Sequence, residues 1–382
     1  MNILCVFFHF PPISGGGVIV TSDIANSLAK KGHKVSVLVP DIEWNGPEYN
    51  PEMNSKIDII RVKVPSKNNI KVAARRCKKP LVKKGIELDN IKKFDFIFSI
   101  FHPFHFAPNA AIKISEELKI PSIIKIDDAI YEKSSGLKSI QRKIEKMISS
   151  SMLKKAGRIL VSNEETKKIV SEFYKISPNK IKIIPNGIET KIFYFNQIKK
   201  TKLVIFSGVL YNHRGLDILI KSIPLVLEKK PEIKFLLVGE GPEKEKLQKM
   251  VSDLKINKNV EFKKWIERKE IIKILADASV GIGPLRLTSV TKGALPIKVL
   301  EYMASSLPLI SQKDTLPQNI LIDGENGFFI NDEEELASKI IYLFENEDER
   351  EKMGQKSHDL VQDFDWGIIS EKIILEYENL KS

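Results

Sequence analysis

Residues 281–312 read GIGPLRLTSVTKGALPIKVLEYMASSLPLISQ, and the rest of the chain is organised around them. An apolar strand over residues 278–284 leads into this stretch and a second, over 307–311, leads out. Between them lie a loop of Ser, Thr and Gly and a helix predicted over residues 297–305. Pro296 suits the first helical position, where its missing N–H costs little. Small residues ahead of a helix leave backbone amides free to meet an anion, and the helix dipole favours negative charge there. Lys298 and Glu301 stand three residues apart and share a face of the first turns. A diphosphate held by the amides and Lys298, with a ribose diol held by Glu301, fits this layout. An exposed Lys–Glu pair on a packed helix fits it too.

Outward from this stretch the chain alternates strands and helices in two series of similar size. The first has strands at residues 2–8, 34–40, 57–64, 94–101, 122–126 and 158–162, with helices at 18–31, 108–118 and 137–155. It closes on the turn Pro185-Asn186-Gly187. The second has strands at 203–207, 234–238 and 260–262 and helices at 216–229, 243–253 and 268–276. After the central stretch come a short strand at 328–330, helices over 333–364 and a last helix from Trp366 to about Leu380. Such alternation indicates βαβ units and parallel sheets. The architecture expected is α/β, two doubly wound, Rossmann-like domains facing each other across a cleft.

Ligands of such sheets gather at the carboxyl ends of strands. His102, His105, Asp127 and Asp128 all stand at those ends. The first strand runs into HFPPISGGG, where Gly15, Gly16 and Gly17 are consecutive and not spaced as in the dinucleotide fingerprint. They make either a tight turn or a place where backbone approaches a phosphate or sugar.

With 382 residues, 42% hydrophobic and 29% charged, the chain has core enough for two domains. No apolar run is long enough to span a bilayer. The apolar opening stops at Pro11-Pro12 without a basic leader, so it reads as a buried strand and not a signal peptide. Cys5 and Cys77 make neither a disulfide framework nor a metal site, and a reduced cytoplasmic setting is expected. Charge is uneven. Residues 1–190 hold 32 Lys/Arg against 19 Asp/Glu, and the remainder 29 against 30, so the net +12 belongs to the first half. Residues 61–93 alone hold twelve basic and two acidic residues. An anionic membrane or an acidic substrate fits such a face. Nucleic acid fits less well, because interleaved aromatics and a recognised binding motif are missing. Lys71, Arg75, Arg76, Lys78, Lys79, Lys83 and Lys84 are the candidate contacts, with Lys143 and Lys146 on the amphipathic helix 137–155. That helix either packs on the sheet or lies on a membrane.

Taken in order, PPISGGG, SLAKKGHKVSVLVP, PNGI, FSGVLYNHRGLDILI, LLVGEGPEKEKL, LPIKVLEYMASSLPLIS, DGENGFFI and FDW resemble the family 4 glycosyltransferases of the two-domain type called GT-B. The resemblance covers nearly the whole chain. It implies an acceptor-side domain over residues 1–190 joined by a C-terminal helix, 366–382, and a donor-binding domain over 200–364. The activity implied is retaining transfer of a sugar from a nucleoside-diphosphate sugar to an acceptor hydroxyl, in cell-surface glycan, polysaccharide or glycolipid synthesis. The acceptor would be a glycan or lipid-linked, and an anionic membrane surface is a candidate partner, placing the protein in the cytoplasm or on the inner face of the membrane. A nucleotide-sugar-binding protein of the same fold without transferase activity is the alternative.

Carried over residue by residue, Glu301 falls on the family's ribose-gripping glutamate, while Gly293 stands where the motif's first glutamate would be. The family's basic pair falls on Val209 and Arg214, which leaves Arg214 and Lys298 as the diphosphate cations. Two cations suit a site without a metal, so no metal or cofactor is expected. Gly15, Gly16, Gly17, Asp128, Gly208, Gly293, Ala294, Leu295 and Pro296 would line the substrates. His102 falls near the family's sugar-contacting histidine, with His105 as its competitor.

Overall fold

The computed structural model describes residues 1–127, 137–193 and 201–381. The chain divides into two compact units, 1–187 with 366–382, and 188–365. In the first unit the elements run β1 (Asn2–Val6), α1 (Gly16–Lys30), β2 (Lys34–Asp41), β3 (Ile57–Lys63), α2 (Ile70–Arg76), α3 (Lys78–Ile91) and β4 (Phe96–Phe101). They continue with α4 (Ala107–Leu118), β5 (Ser122–Ile126), α5 (Leu137–Lys155), β6 (Arg158–Val161), α6 (Glu164–Tyr174) and β7 (Ile181–Ile183). All seven strands are parallel, in the order β3-β2-β1-β4-β5-β6-β7.

The second unit comprises β8 (Leu203–Ser207), α7 (Leu216–Lys229), β9 (Lys234–Val238), α8 (Lys244–Asp253), β10 (Val260–Lys263) and α9 (Arg268–Asp277). It goes on through β11 (Val280–Ile282), α10 (Ile297–Ala304), β12 (Leu309–Gln312), β13 (Gly327–Ile330), α11 (Glu333–Glu345) and α12 (Glu347–Val361). Its six parallel strands run β10-β9-β8-β11-β12-β13. Both sheets are doubly wound, as expected. Each has a point where the strand order reverses, between β1 and β4 and between β8 and β11. At such points the flanking loops diverge and leave room for a ligand.

The last helix, α13 (Trp366–Glu378), belongs to the first unit and packs on α1. Ser27 Oγ donates to the Trp366 carbonyl at 2.7 Å, and the Trp366 indole N–H donates to Asp23 at 3.2 Å. Tyr377 stacks on Phe96 of β4 with ring centroids 4.5 Å apart. Buried aromatics of this size contribute roughly 2–3 kcal/mol each, enough to hold a terminal helix in place.

Three helices, α2, α3 and α6, were not foreseen from the sequence. Within α3, Leu81, Gly85 and Leu88 face the core at helical spacing, and the lysines between them mask that stripe. Of the two readings of α5, packing on the sheet holds for part of its apolar face: Met152 and Leu153 are buried, whereas Ile140, Ile144 and Ile148 are exposed. Among the described residues no helix is long and apolar enough to cross a membrane.

In the second unit the strand ends are drawn together by a pair of glycines. Gly208 N–H donates to Val238 O at 2.8 Å, and Gly239 N–H to Lys263 O at 2.9 Å. Gly239 has φ +143, and a Cβ there would lie 2.1 Å from the Gly208 carbonyl oxygen. Both the backbone conformation and the space therefore exclude a side chain. Gly239→Ala is expected to destabilise the second unit by about 3 kcal/mol or more. Urea unfolding reads this as a lower midpoint, and an unchanged midpoint would refute the close approach.

Candidate active site

At the reversal point of the second sheet, α10 follows β11 and lies against the end of β8. Val299, Leu300, Tyr302, Met303 and Ala304 of α10 are all fully buried. A helix this apolar has little solvated face to offer. The Tyr302 hydroxyl accepts the Ser207 N–H at 2.7 Å and lies 3.1 Å from Ser207 Oγ, which ties α10 to the β8 terminus. One turn earlier, Lys298 reaches over the Phe206 ring, with its nitrogen 3.6 Å from the centroid. Among the described residues this buried nitrogen has no hydrogen-bond partner. Burial, and then the nearby Arg214 charge, hold the Lys298 proton affinity well below the usual lysine range, while Glu301 opposes them. A Cβ on Gly208 would come within 2.8 Å of that nitrogen, so the glycine at φ +128 also makes room for the lysine head.

Glu301 is buried, and its carboxylate lies 3.8 Å from the Arg268 guanidinium of α9. The sequence placed Arg268 at a helix start and gave it no role. Its proximity to Glu301 comes from the packing of α9 on α10, which no local pattern encodes. Arg214 ends a 3-10 turn, Asn212–Arg214, and its carbonyl accepts Leu285 N–H at 2.9 Å. That turn is held by Arg286, which donates to Asn212 O and Oδ1 at 2.7 Å and to both Asp217 oxygens at 2.6 and 2.8 Å. Arg286 is thus engaged in structure. Arg214, Lys298, Glu301 and Arg268 form one charged group, and the reading of Lys298 and Glu301 as an exposed surface pair is overturned. Val209 is exposed and supplies no charge.

The loop leading to α10 is shaped by its own hydroxyls. Thr288 N–H donates to Thr291 Oγ1 at 2.8 Å, and that hydroxyl donates to Arg286 O at 2.6 Å. Gly293 adopts φ +58, and its N–H donates to Asp314 O at 2.9 Å. A glutamate at 293 would be strained in that conformation. Gly293, Ala294, Leu295 and Pro296 are partly exposed on the approach to α10. Pro296 does not occupy the first helical position. It precedes the helix in an extended conformation, with no side-chain cap; its carbonyl accepts Val299 N–H at 2.9 Å, and the Ile297 and Lys298 amides before it lack intrahelical acceptors.

In the first unit, the loops after β1 and β4 flank the other reversal point. Gly15 precedes α1 at φ +144, and Gly16 and Gly17 form its first turn instead of a loop before it. All three are exposed, and a Cβ on any would meet nothing within 4 Å. The His102 ring stacks on His105 at 4.2 Å, and His105 meets His9 at 5.0 Å and Phe8 at 4.5 Å. His102 is the exposed member, and His9 and His105 are half-buried. Asp127 pairs with the buried Lys125 at 3.0 Å and accepts from Ser162. Asp128 lies outside the described residues. No group of three or more His, Cys, Asp or Glu among the described residues is placed to hold a metal.

Burial, aided by the charge of His102, lowers His9 from 6.5 to about 4 and His105 to about 2. Above pH 6.5 both rings are neutral in folded and unfolded chains alike. Between 6.5 and about 4 the unfolded chain takes up protons that the native rings refuse, so stability falls on acidification, and His105 extends the loss below 4. Unfolding midpoints measured from neutral to mildly acid pH are expected to fall less steeply in His9→Gln and His105→Gln. Parallel profiles would contradict the burial.

Residues 14–192 match the model for Glycosyltransferase Family 4, and residues 188–359 match Glycosyl transferases group 1. The alpha-monoglucosyldiacylglycerol synthase of Acholeplasma laidlawii is 24% identical, over 88% of this chain and 86% of its own. Among solved structures, sucrose-phosphate synthase from Thermosynechococcus elongatus superposes with a TM-score of 0.77 at 16% identity, covering 100% of this chain and 99% of that one. Anabaena HepE in complex with UDP superposes at 0.74 and 16% identity, covering 99% of this chain and 100% of its own. At such identity the likeness to solved structures is one of fold.

Proposed function

The chain belongs to the family 4, group 1 glycosyltransferases, and we propose that it is a retaining enzyme that takes its sugar from a nucleoside diphosphate held by the second unit. The observation that carries the proposal is the buried Lys298 nitrogen with no hydrogen bond. An ammonium out of water is costly until an anion meets it. A diphosphate would supply that anion, and would accept from Arg214 and from the first amides of α10 as well. Glu301, oriented beside Arg268 and one turn beyond Lys298, would accept the two ribose hydroxyls. The nucleotide in the HepE complex is UDP, which makes uridine diphosphate the first probe.

The chemical step asks little of carboxylates. Negative charge grows on the leaving diphosphate, and Arg214 and Lys298 would stabilise it without a metal. A leaving-phosphate oxygen would take the acceptor proton on the same face, which gives retention. The exposed Gly15–Gly17 turn and His102 of the first unit would meet the acceptor and the sugar. Glycan or lipid-linked acceptors suit this reading, and the A. laidlawii relative is named a glucosyldiacylglycerol synthase.

A thermal-shift screen of nucleoside-diphosphate sugars is expected to find at least one that stabilises the protein, and its cognate diphosphate should be released on incubation with acceptor. No stabilisation by any would refute the proposal. Glu301→Ala is expected to weaken nucleoside-diphosphate binding by about 2–3 kcal/mol, because a buried diol loses a charged partner. Unchanged affinity would remove Glu301 from the ribose site. Removing Arg214 or Lys298 should lower kcat more than donor affinity, and turnover should survive EDTA. A strict divalent-ion requirement would contradict the two-cation account.

A further inference from the structure

The carboxyl ends of β5, β6 and β7 carry a group of polar residues that the donor site does not use. In register, Ile126 pairs with Val161 and Val161 with Ile183, so Asp127, Ser162 and Ile184 form the next row across the three strand ends. Adjacent strands lie about 4.8 Å apart, which keeps that row within side-chain reach. Lys125, two residues back along β5, is fully buried. Its ammonium donates to the Ile184 carbonyl at 2.8 Å and pairs with Asp127 Oδ1 at 3.0 Å, so one side chain ties the first strand of the row to the last. Ser162 Oγ donates to the same Asp127 oxygen at 3.1 Å. Two acceptors here are left without donors. Asp127 Oδ2 has no hydrogen bond among the described residues, and its side chain is 21% exposed. Asn186, two residues past Ile184, is only 6% exposed, yet its Oδ1 has no hydrogen bond.

A buried amide oxygen without a donor costs stability until something supplies one. The ion pair poses the same question, because a buried pair is seldom worth more to stability than apolar side chains of similar volume. What Lys125 does achieve is to hold the Asp127 carboxylate in one orientation and to cancel its charge. With that charge cancelled, the two free oxygens call for a neutral hydrogen-bond donor, not for an ammonium group or a metal ion. Neighbouring hydroxyls of a sugar ring are such a donor. We infer that the ends of β5, β6 and β7 form a carbohydrate subsite of the first unit. Asp127 Oδ2 and Asn186 Oδ1 accept from hydroxyls of the acceptor's sugar, and Lys125 and Ser162 are positioning residues for Asp127. Strand β5 pairs with β4, whose loop carries His102, so the subsite adjoins the loop already assigned to the acceptor. The inference rests on the reading of the first unit as the acceptor side and narrows it: the acceptor brings a sugar of its own and is not a bare diacylglycerol.

The test uses full-length protein, with and without uridine diphosphate, and the methyl glycosides of glucose, galactose and mannose as probes in saturation-transfer NMR. At least one glycoside is expected to bind the wild type. Asn186→Ala should weaken that binding at least about fivefold. It should not lower the unfolding midpoint, because the oxygen it removes has no partner to lose. Ser162→Ala should weaken binding less, and Ser162→Thr, which keeps the hydroxyl, should restore it. Stabilisation by uridine diphosphate should be unchanged in all three variants, which shows that they are folded. A wild type that uridine diphosphate stabilises but that binds none of the glycosides would overturn the subsite. So would binding that Asn186→Ala leaves unchanged, and a midpoint lowered in that variant with binding intact would make Asn186 structural only. Glycoside binding without any stabilisation by the nucleotide would instead count against the donor site proposed above.

Discussion

A lysine head buried over an aromatic ring, without a hydrogen bond, is the constraint around which the second unit is arranged. Lys298 is placed there by the clamp between the Tyr302 hydroxyl and Ser207. Gly208 must lack a side chain so that the nitrogen fits, and Gly239 must lack one so that Gly208 can occupy its place. The ring of Phe206 offers its π-face, worth about 2 kcal/mol to a desolvated cation, which falls short of the cost of removing an ammonium from water. In the proposed function an anionic ligand would supply the balance, and the neighbouring Arg214 charge favours the same sign.

The two units repeat one plan with different chemistry. In each, a parallel sheet reverses its strand order and the loops at that point carry the candidate site. The second unit collects Arg214, Lys298, Glu301 and Arg268 there. The first collects three histidine rings and an open glycine turn, with neutral imidazoles favoured at His9 and His105. Charge in the first unit lies elsewhere, on the helical layer, where Lys71, Arg75 and Arg76 of α2 and Lys143 of α5 are exposed.

Most of the fold was legible because parallel strands buried on both faces read as apolar runs, and several strands and helices match the expected bounds to the residue. Strand β5, helix α5, strand β8, helix α7 and strand β9 are of this kind. The helices that were missed are those whose core contacts are few and widely spaced. For α6 a signal existed in Asn163, which caps the helix by accepting Thr166 N–H at 2.8 Å, and in Glu164 and Glu165 behind it. At the site, the family motif pointed to Lys298 and Glu301, but whether they were solvated or buried depends on what packs around α10. Arg268 and the exposure of the α5 stripe are tertiary facts of the same sort. No spacing within one element discloses them.

The central claim is that Lys298 is a buried cation site completed by a diphosphate. Anion binding should raise its depressed proton affinity, so the complex keeps the Lys298 proton to higher pH than the free protein does. Calorimetric titration of uridine diphosphate in buffers of different ionisation enthalpy measures the resulting proton uptake, at alkaline pH where the phosphate is fully ionised. The account predicts proton uptake by the wild type that grows with pH and is absent in Lys298→Met. Binding without proton uptake, or equal uptake in the variant, would contradict it.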